Sequence, residues 1–241
     1  MGRKRRRDGP GRIFHITARV NWRVWHLLEE KARRLLARLI REQALAFDVA
    51  VLAYVFMANH FHLVTVSPEP KLYRAHTSRR TACRHRQPFP RGHQNASVVS
   101  QFMREVRRTM SKLRQHDLGL TGKFWEGDYD ARLVESPESL LVRIAYDHRN
   151  PVKAGIVERP EDYLWSSART WRSGEPGPIP LSLDSKPLGL GREELVESVL
   201  RFEGWEDLDE FMPTLIEDGI EWDSEFGHQA ILEFLERHGE K

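Results

Sequence analysis

The chain has 241 residues, 40% of them hydrophobic and seven of them tryptophan, enough for a sizeable core and unlike the composition of a disordered segment. No stretch approaches the roughly 20 apolar residues of a membrane span, the arginine-rich start lacks the apolar run of a secretory signal, and a lone cysteine, Cys83, excludes a disulfide framework and a cysteine-based zinc site. The net charge of +3 hides an asymmetry: residues 171–241 hold 18 Asp/Glu against 6 Lys/Arg, a balance of −12, which leaves 32 basic and 17 acidic residues, or +15, in 1–170.

Such a separation points to a body that binds nucleic acid and carries an acidic appendage; the plain alternative is that the charges only solvate surface. Residues 1–12 form a basic arm containing Arg3, Lys4, Arg5, Arg6 and Arg7. Residues 13–20 (IFHITARV) predict a first strand, with His15 as a structural mid-strand residue and Arg19 near its end. Over 24–46, Val24, Leu27, Leu28, Leu35, Leu39 and Ile40 recur on one side, the pattern of an amphipathic helix. Residues 49–57 and 60–66 predict a hairpin that turns at Ala58-Asn59.

The second hairpin strand carries His60-Phe61-His62. Alternate strand residues point to the same face, so the two imidazoles are placed to clasp one divalent ion while Phe61 anchors the strand in the core. Histidines two apart also occur as ordinary surface or hydrogen-bonded pairs, and that reading stays open on this motif alone. The stretch 67–95 reads as a long loop: Lys71, Arg74, Arg79, Arg80, Arg84, Arg86 and Arg91 occur with no acidic residue in 71–93, and Pro88 and Pro90 break any periodicity. Its cations would neutralise phosphates.

Val98, Phe102, Val106, Met110 and Leu113 predict a helix over 96–117, whose other side offers Arg104, Arg107, Arg108, Lys112 and Arg114 as a phosphate-facing stripe. A strand over 129–134 precedes a helix over 139–150 (SLLVRIAYDHRN), with Ser136 as N-cap, Pro137 and Glu138 in the first turn and Pro151 as its stop. Tyr146 and Asn150 are four apart and share a face of that helix. A phenol, an amide oxygen and two imidazoles make up a metal-assisted nucleophilic site. From 171 a Gly/Pro-rich linker leads to helices expected at 192–202 and 224–238. The order of elements predicts an α+β fold, a ferredoxin-like split βαβ antiparallel sheet flanked by helices, with a C-terminal helical extension.

HFH followed by Leu63-Val64, and downstream Tyr146-x-x-x-Asn150-Pro151-Val152-Lys153-Ala154-Gly155, resemble the single-tyrosine HUH transposases, in particular their REP-associated branch. Further matches lie at Phe14 to Arg19, Phe124 to Tyr129 and Tyr163 to Ser167, so the resemblance covers about 12–170 with its motifs in the family's order. It implies a domain over 13–170 with the basic loop as an insertion, followed by an acidic extension over 171–241. Tyr146 would attack a DNA phosphodiester to give a 5′-phosphotyrosine link. His60, His62 and Asn150 would hold Mg²⁺ or Mn²⁺, and the substrate would be single-stranded or hairpin DNA.

The DNA contacts expected are Arg5, Arg6, Arg19, Lys71, Arg79, Arg80, Arg84, Arg104, Arg107, Arg108 and Lys112, in a cytoplasmic, nucleoid-associated protein that works as a monomer or, alternatively, as a homodimer. Many relatives carry Gln where Asn150 stands. Asp147-His148-Arg149 also departs from the apolar residue that often follows the tyrosine, which leaves His148 as a further ligand or acid–base candidate. Tyr129 is the rival nucleophile, and Trp165 is read as core rather than as a base-stacking platform. Two other functions compete: a catalytically silent DNA-binding protein of the same fold, and a hydrolase of small phosphoesters. The acidic extension either docks on the basic face or packs as a small module around Trp205, Phe211, Trp222, Phe226 and Phe234.

Overall fold

The strand β1 (Ile13–Arg19) is buried along most of its length on both sides, as a central strand must be. The computed structural model describes residues 9–69, 97–182 and 191–203. Arg5, Arg6, Lys71, Arg79, Arg80, Arg84, nearly all of the basic loop and the segment 204–241 lie outside the described residues. β1 pairs antiparallel with β3 (His60–Val66) on one side and β4 (Asp130–Val134) on the other, and β3 pairs antiparallel with β2 (Ala50–Phe56). The sheet order is therefore β2-β3-β1-β4, the order of a ferredoxin-like split βαβ sheet, as expected from the sequence. The exposed edge β4 carries Asp130 and Arg132 outward, which discourages pairing with another chain. The β2 edge is covered by the later chain, whose backbone bonds join Phe56 to Trp165, Ser167 to Tyr54 and Ser182 to Val51.

The alternation of β1 and β3 gives the described residues a large core on each face of the sheet. Phe14, Ile16, Ala18, Phe61 and Leu63 face α1 (Glu30–Phe47) and α2 (Val98–Leu118). Ile13 and Val64 face the other way, onto Leu140 and Ile144 of α3 (Pro137–Lys153). Trp171 of α4 (Ala168–Ser173) and Leu195 and Val199 of α5 (Arg192–Glu203) complete this second core. The boundary drawn at 170 thus falls inside a packed layer, because the helices beyond it supply the apolar surface that seals α3.

Two helix limits differ from expectation. α1 begins at Glu30 and not at 24: Asn21–Arg23 form a single 3₁₀ turn, Val24 and Trp25 are exposed, and only Leu27 turns inward. α3 runs through Pro151 to Lys153, since a proline one turn from a helix end forfeits one backbone bond while its fixed φ remains helical. Ser136 caps α3 as expected, accepting from the Ser139 amide at 3.1 Å.

Candidate functional site

The register of β1 and β3 sets Thr17 opposite His62 and Arg19 opposite His60. His15, Thr17, Arg19, His60 and His62 therefore share the face that α3 covers. The His60 and His62 rings meet edge-on with centroids 5.0 Å apart. Tyr146 comes from α3 to lie edge-on against His62 at 5.7 Å, and the Asn150 side chain, one turn along, hydrogen-bonds the phenol. The sheet and one helix thus bring together four residues that the sequence spreads over ninety positions.

Burial, reinforced by the Arg19 charge, pushes the His60 pKa down to about 4. Burial also holds His62 well below its ordinary value, with His15, His60 and Arg19 acting in the same direction. Both imidazoles are neutral at pH 7, the form that ligates metals. For His60 a neighbour decides which nitrogen carries the proton. Asn59 donates its amide N–H to the Arg23 carbonyl at 3.1 Å, which turns its oxygen toward His60 to accept the Nδ1 proton at 2.7 Å. The His62 Nδ1 lies 2.9 Å from the Thr17 hydroxyl, while its Nε2 is buried with no hydrogen-bond partner. On His60 this leaves the Nε2 lone pair for something other than a protein donor, and His62 turns an Nε2 without a protein partner into the same site.

The Tyr146 pKa is raised, first by burial and then by the Asp147 carboxylate, against the lowering effects of Asn150 and Arg19. The phenol therefore keeps its proton at neutral pH.

His15 and Asp147 belong to the same site, although His15 was expected to be structural and Asp147 was not singled out. The His15 ring stacks on His62 with centroids 5.3 Å apart, its Nε2 donates to Asp147 Oδ1 at 3.0 Å, and Arg143 approaches its Nδ1 at 3.4 Å. Asp147 is fully buried, and its second oxygen has no hydrogen-bond partner. The ligand atoms of His15, His62 and Asp147 all lie within 4.8 Å of one another, a spacing one ion can bridge. Two periodicities in the sequence pointed here: His15, Thr17 and Arg19 alternate on one strand face, and Arg143, Asp147 and Asn150 follow at helical spacing.

His148 lies elsewhere. It is buried with its Nε2 2.8 Å from the Ser167 hydroxyl and its ring 6.0 Å from Trp171, because one helical residue beyond Asp147 turns it toward α4. Tyr129 is buried too, donating to the Ser100 hydroxyl at 3.2 Å, and Trp165 packs against the core as expected.

Of the described cations expected to contact DNA, Arg19 stands at the site. Arg104, Arg107, Arg108 and Lys112 are carried by α2, whose core residues pack on the opposite face of the sheet. Arg107 bonds the Gly127 carbonyl and lies over the Trp125 and Tyr129 rings at 5.5 and 5.6 Å. Arg104 and Arg108 both reach Glu105. Arg114 is buried and bonds Glu29 and the His26 carbonyl, so it ties α2 to the chain before α1 and is not part of an exposed stripe.

No protein-family model matches the chain, and no curated protein sequence does. Among solved structures, the chain shares its fold with a REP-associated tyrosine transposase bound to a REP hairpin. The TM-score is 0.52 at 19% identity, and the match covers 76% of this chain and 92% of the other.

Proposed function

We propose that this protein cleaves and rejoins single-stranded or hairpin DNA, with Tyr146 as the nucleophile. The observation that carries this reading is the placement of Tyr146 against His62, whose ring meets His60 edge-on, with the His60 Nδ1 proton held by Asn59 and the buried His62 Nε2 without a protein partner. The fold shared with a hairpin-bound transposase supports DNA as the substrate.

The residues fit a divalent cation. His60 and His62 would hold it through Nε2, Asn150 through its side-chain oxygen, and the buried Asp147 Oδ2 without a hydrogen-bond partner is a further anionic donor. His15 is less suited as a ligand, because its Nε2 is already committed to Asp147 and Arg143 faces its other nitrogen. It orients the carboxylate instead, the supporting role that outer residues play around metal ligands. A bound Mg²⁺ or Mn²⁺ would draw charge from a non-bridging phosphate oxygen and steady the bond to be broken.

Tyr146 Oη forms the bond to phosphorus, the bond from phosphorus to the 3′ oxygen breaks, and the phenol proton ends on that oxygen as a 3′-hydroxyl. One phosphodiester is exchanged for a 5′-phosphotyrosine, so the same hydroxyl or another can reverse the step and rejoin strands. Asn150 holds the phenol in place, and Arg19 places a positive charge where the phosphate would sit.

The test is incubation with Mn²⁺ of hairpin-bearing single strands labelled at either end, followed by denaturing electrophoresis. The expected result is a covalent adduct carrying the 3′-side label, dependent on metal and absent in Tyr146→Phe. Binding with no adduct across several flanking sequences would leave the silent DNA-binding reading in its place.

A further inference from the structure

The segment between β1 and α1 holds two of the seven tryptophans out in solvent. Trp22 is 86% exposed and Trp25 64%, although indoles are among the side chains a fold gains most by covering. Trp22 and Arg23 both have positive φ, 56° and 55°, a conformation that costs energy in any residue with a side chain and persists only where surrounding structure enforces it. Enforcement is visible here. The backbone of Asn21 bonds that of Phe124, Val20 bonds Asn59 and Leu27 bonds Ala58, at 2.7–2.9 Å. Arg114 then fastens His26 and Glu29 from below. The tryptophans thus sit on a braced loop.

That loop is joined to the site by one side chain. The Asn59 amide donates to the Arg23 carbonyl and accepts from His60. Arg19 ends the strand that enters the loop, Arg23 is exposed and lies between Trp22 and Trp25 in sequence, and no acidic residue occurs from Gly9 to Leu28. Exposed aromatic faces interleaved with arginines suit unpaired nucleobases on a phosphate backbone, because every base offers a π-face and every linkage a negative charge.

We infer that Trp22 and Trp25 form a stacking platform for the unpaired bases that flank the phosphate held at Tyr146. This inference rests on the DNA-cleaving reading above and assigns the strand-holding part of the same site. The platform selects for unpaired strands, since bases in a duplex are already stacked on one another.

Its test is fluorescence anisotropy with a labelled unpaired octanucleotide and a blunt duplex of equal length, in the Tyr146→Phe background so that nothing is cleaved. Trp22→Ala and Trp25→Ala should each weaken octanucleotide binding by about tenfold while duplex binding stays within about twofold, and Trp22→Phe should retain most of the affinity. Equal octanucleotide affinity in the alanine variants and their parent would overturn the platform and leave the cleavage reading standing. Equal losses on strand and duplex would also overturn it, as would an alanine variant that changes the molecular mass in solution and not the strand affinity, which would mark the patch as a contact with a second copy. Failure of the parent to bind either DNA at low salt would remove both proposals together.

Discussion

Replacing Asn59 by alanine removes two hydrogen bonds, the 3.1 Å bond to the Arg23 carbonyl and the 2.7 Å bond from His60. Asn59 is half-buried, so each bond contributes about 0.5–1.5 kcal/mol and their joint loss costs about 1–3 kcal/mol of stability. For a chain of this size that is a fall in Tm of roughly 2–12 °C. The larger consequence falls on His60. Without an acceptor at Nδ1 the neutral ring is free to carry its proton on Nε2, the tautomer that has no lone pair to offer on that side. Loss of such a supporting group around a metal ligand weakens binding by about 10–100-fold. The assay is a Mn²⁺ titration in which the free ion is followed by electron paramagnetic resonance, with Asn59→Ala, Asn59→Asp and His60→Ala beside wild type at pH 8. Asn59→Asp keeps an acceptor for His60 but cannot donate to Arg23, so it should retain Mn²⁺ affinity while losing part of the stability. Asn59→Ala binding Mn²⁺ as tightly as wild type would refute the argument that this amide selects the ligating tautomer.

Acid should destabilise the metal-free protein earlier than its carboxylates alone would dictate. His60 is held at about 4 when folded and returns to 6.5 when unfolded, so the unfolded chain binds more protons between those values. Stability is therefore full above about pH 6.5 and falls as pH drops toward 4, by up to about 3 kcal/mol for this residue. Urea midpoints at pH 7 and 5 should diverge more in wild type than in His60→Gln, and equal divergence would count against it. His148→Ala should cost about 2–4 kcal/mol through lost packing on Trp171 and the Ser167 bond yet leave Mn²⁺ affinity unchanged, whereas Asn150→Ala should do the reverse; calorimetry with and without Mn²⁺ separates the two. Leu195→Ala should destabilise the whole body by about 2–5 kcal/mol in a single transition, and a chemical-denaturation curve unchanged from wild type would mean that α5 does not seal the second core.

Local periodicity was enough to read much of this protein. Short runs of strand-forming residues located the four described strands, 3.6-residue spacing located α1, α2 and α3, and helix phase paired Tyr146 with Asn150. Strand parity alone put His60 and His62 on one face, because these relations act over a few residues and need no knowledge of the rest of the chain. Contacts between distant segments were another matter. His15 meets Asp147 across 132 positions because β1 pairs with β3 in a register that no local pattern displays, and because α3 lies on that face and not on the other. The same packing turned His148 toward Trp171 and away from His60 and His62, since one step along a helix rotates a side chain by about 100° and only the burial of α3 decides which direction faces the sheet. The helix pattern over 24–46 likewise promised a longer α1. Asn59, Arg114 and the Phe124 backbone, all remote in sequence, hold residues 20–29 out of the helix and present Trp22 and Trp25 to solvent. Long-range partners, which no window of sequence contains, outweighed local propensity there.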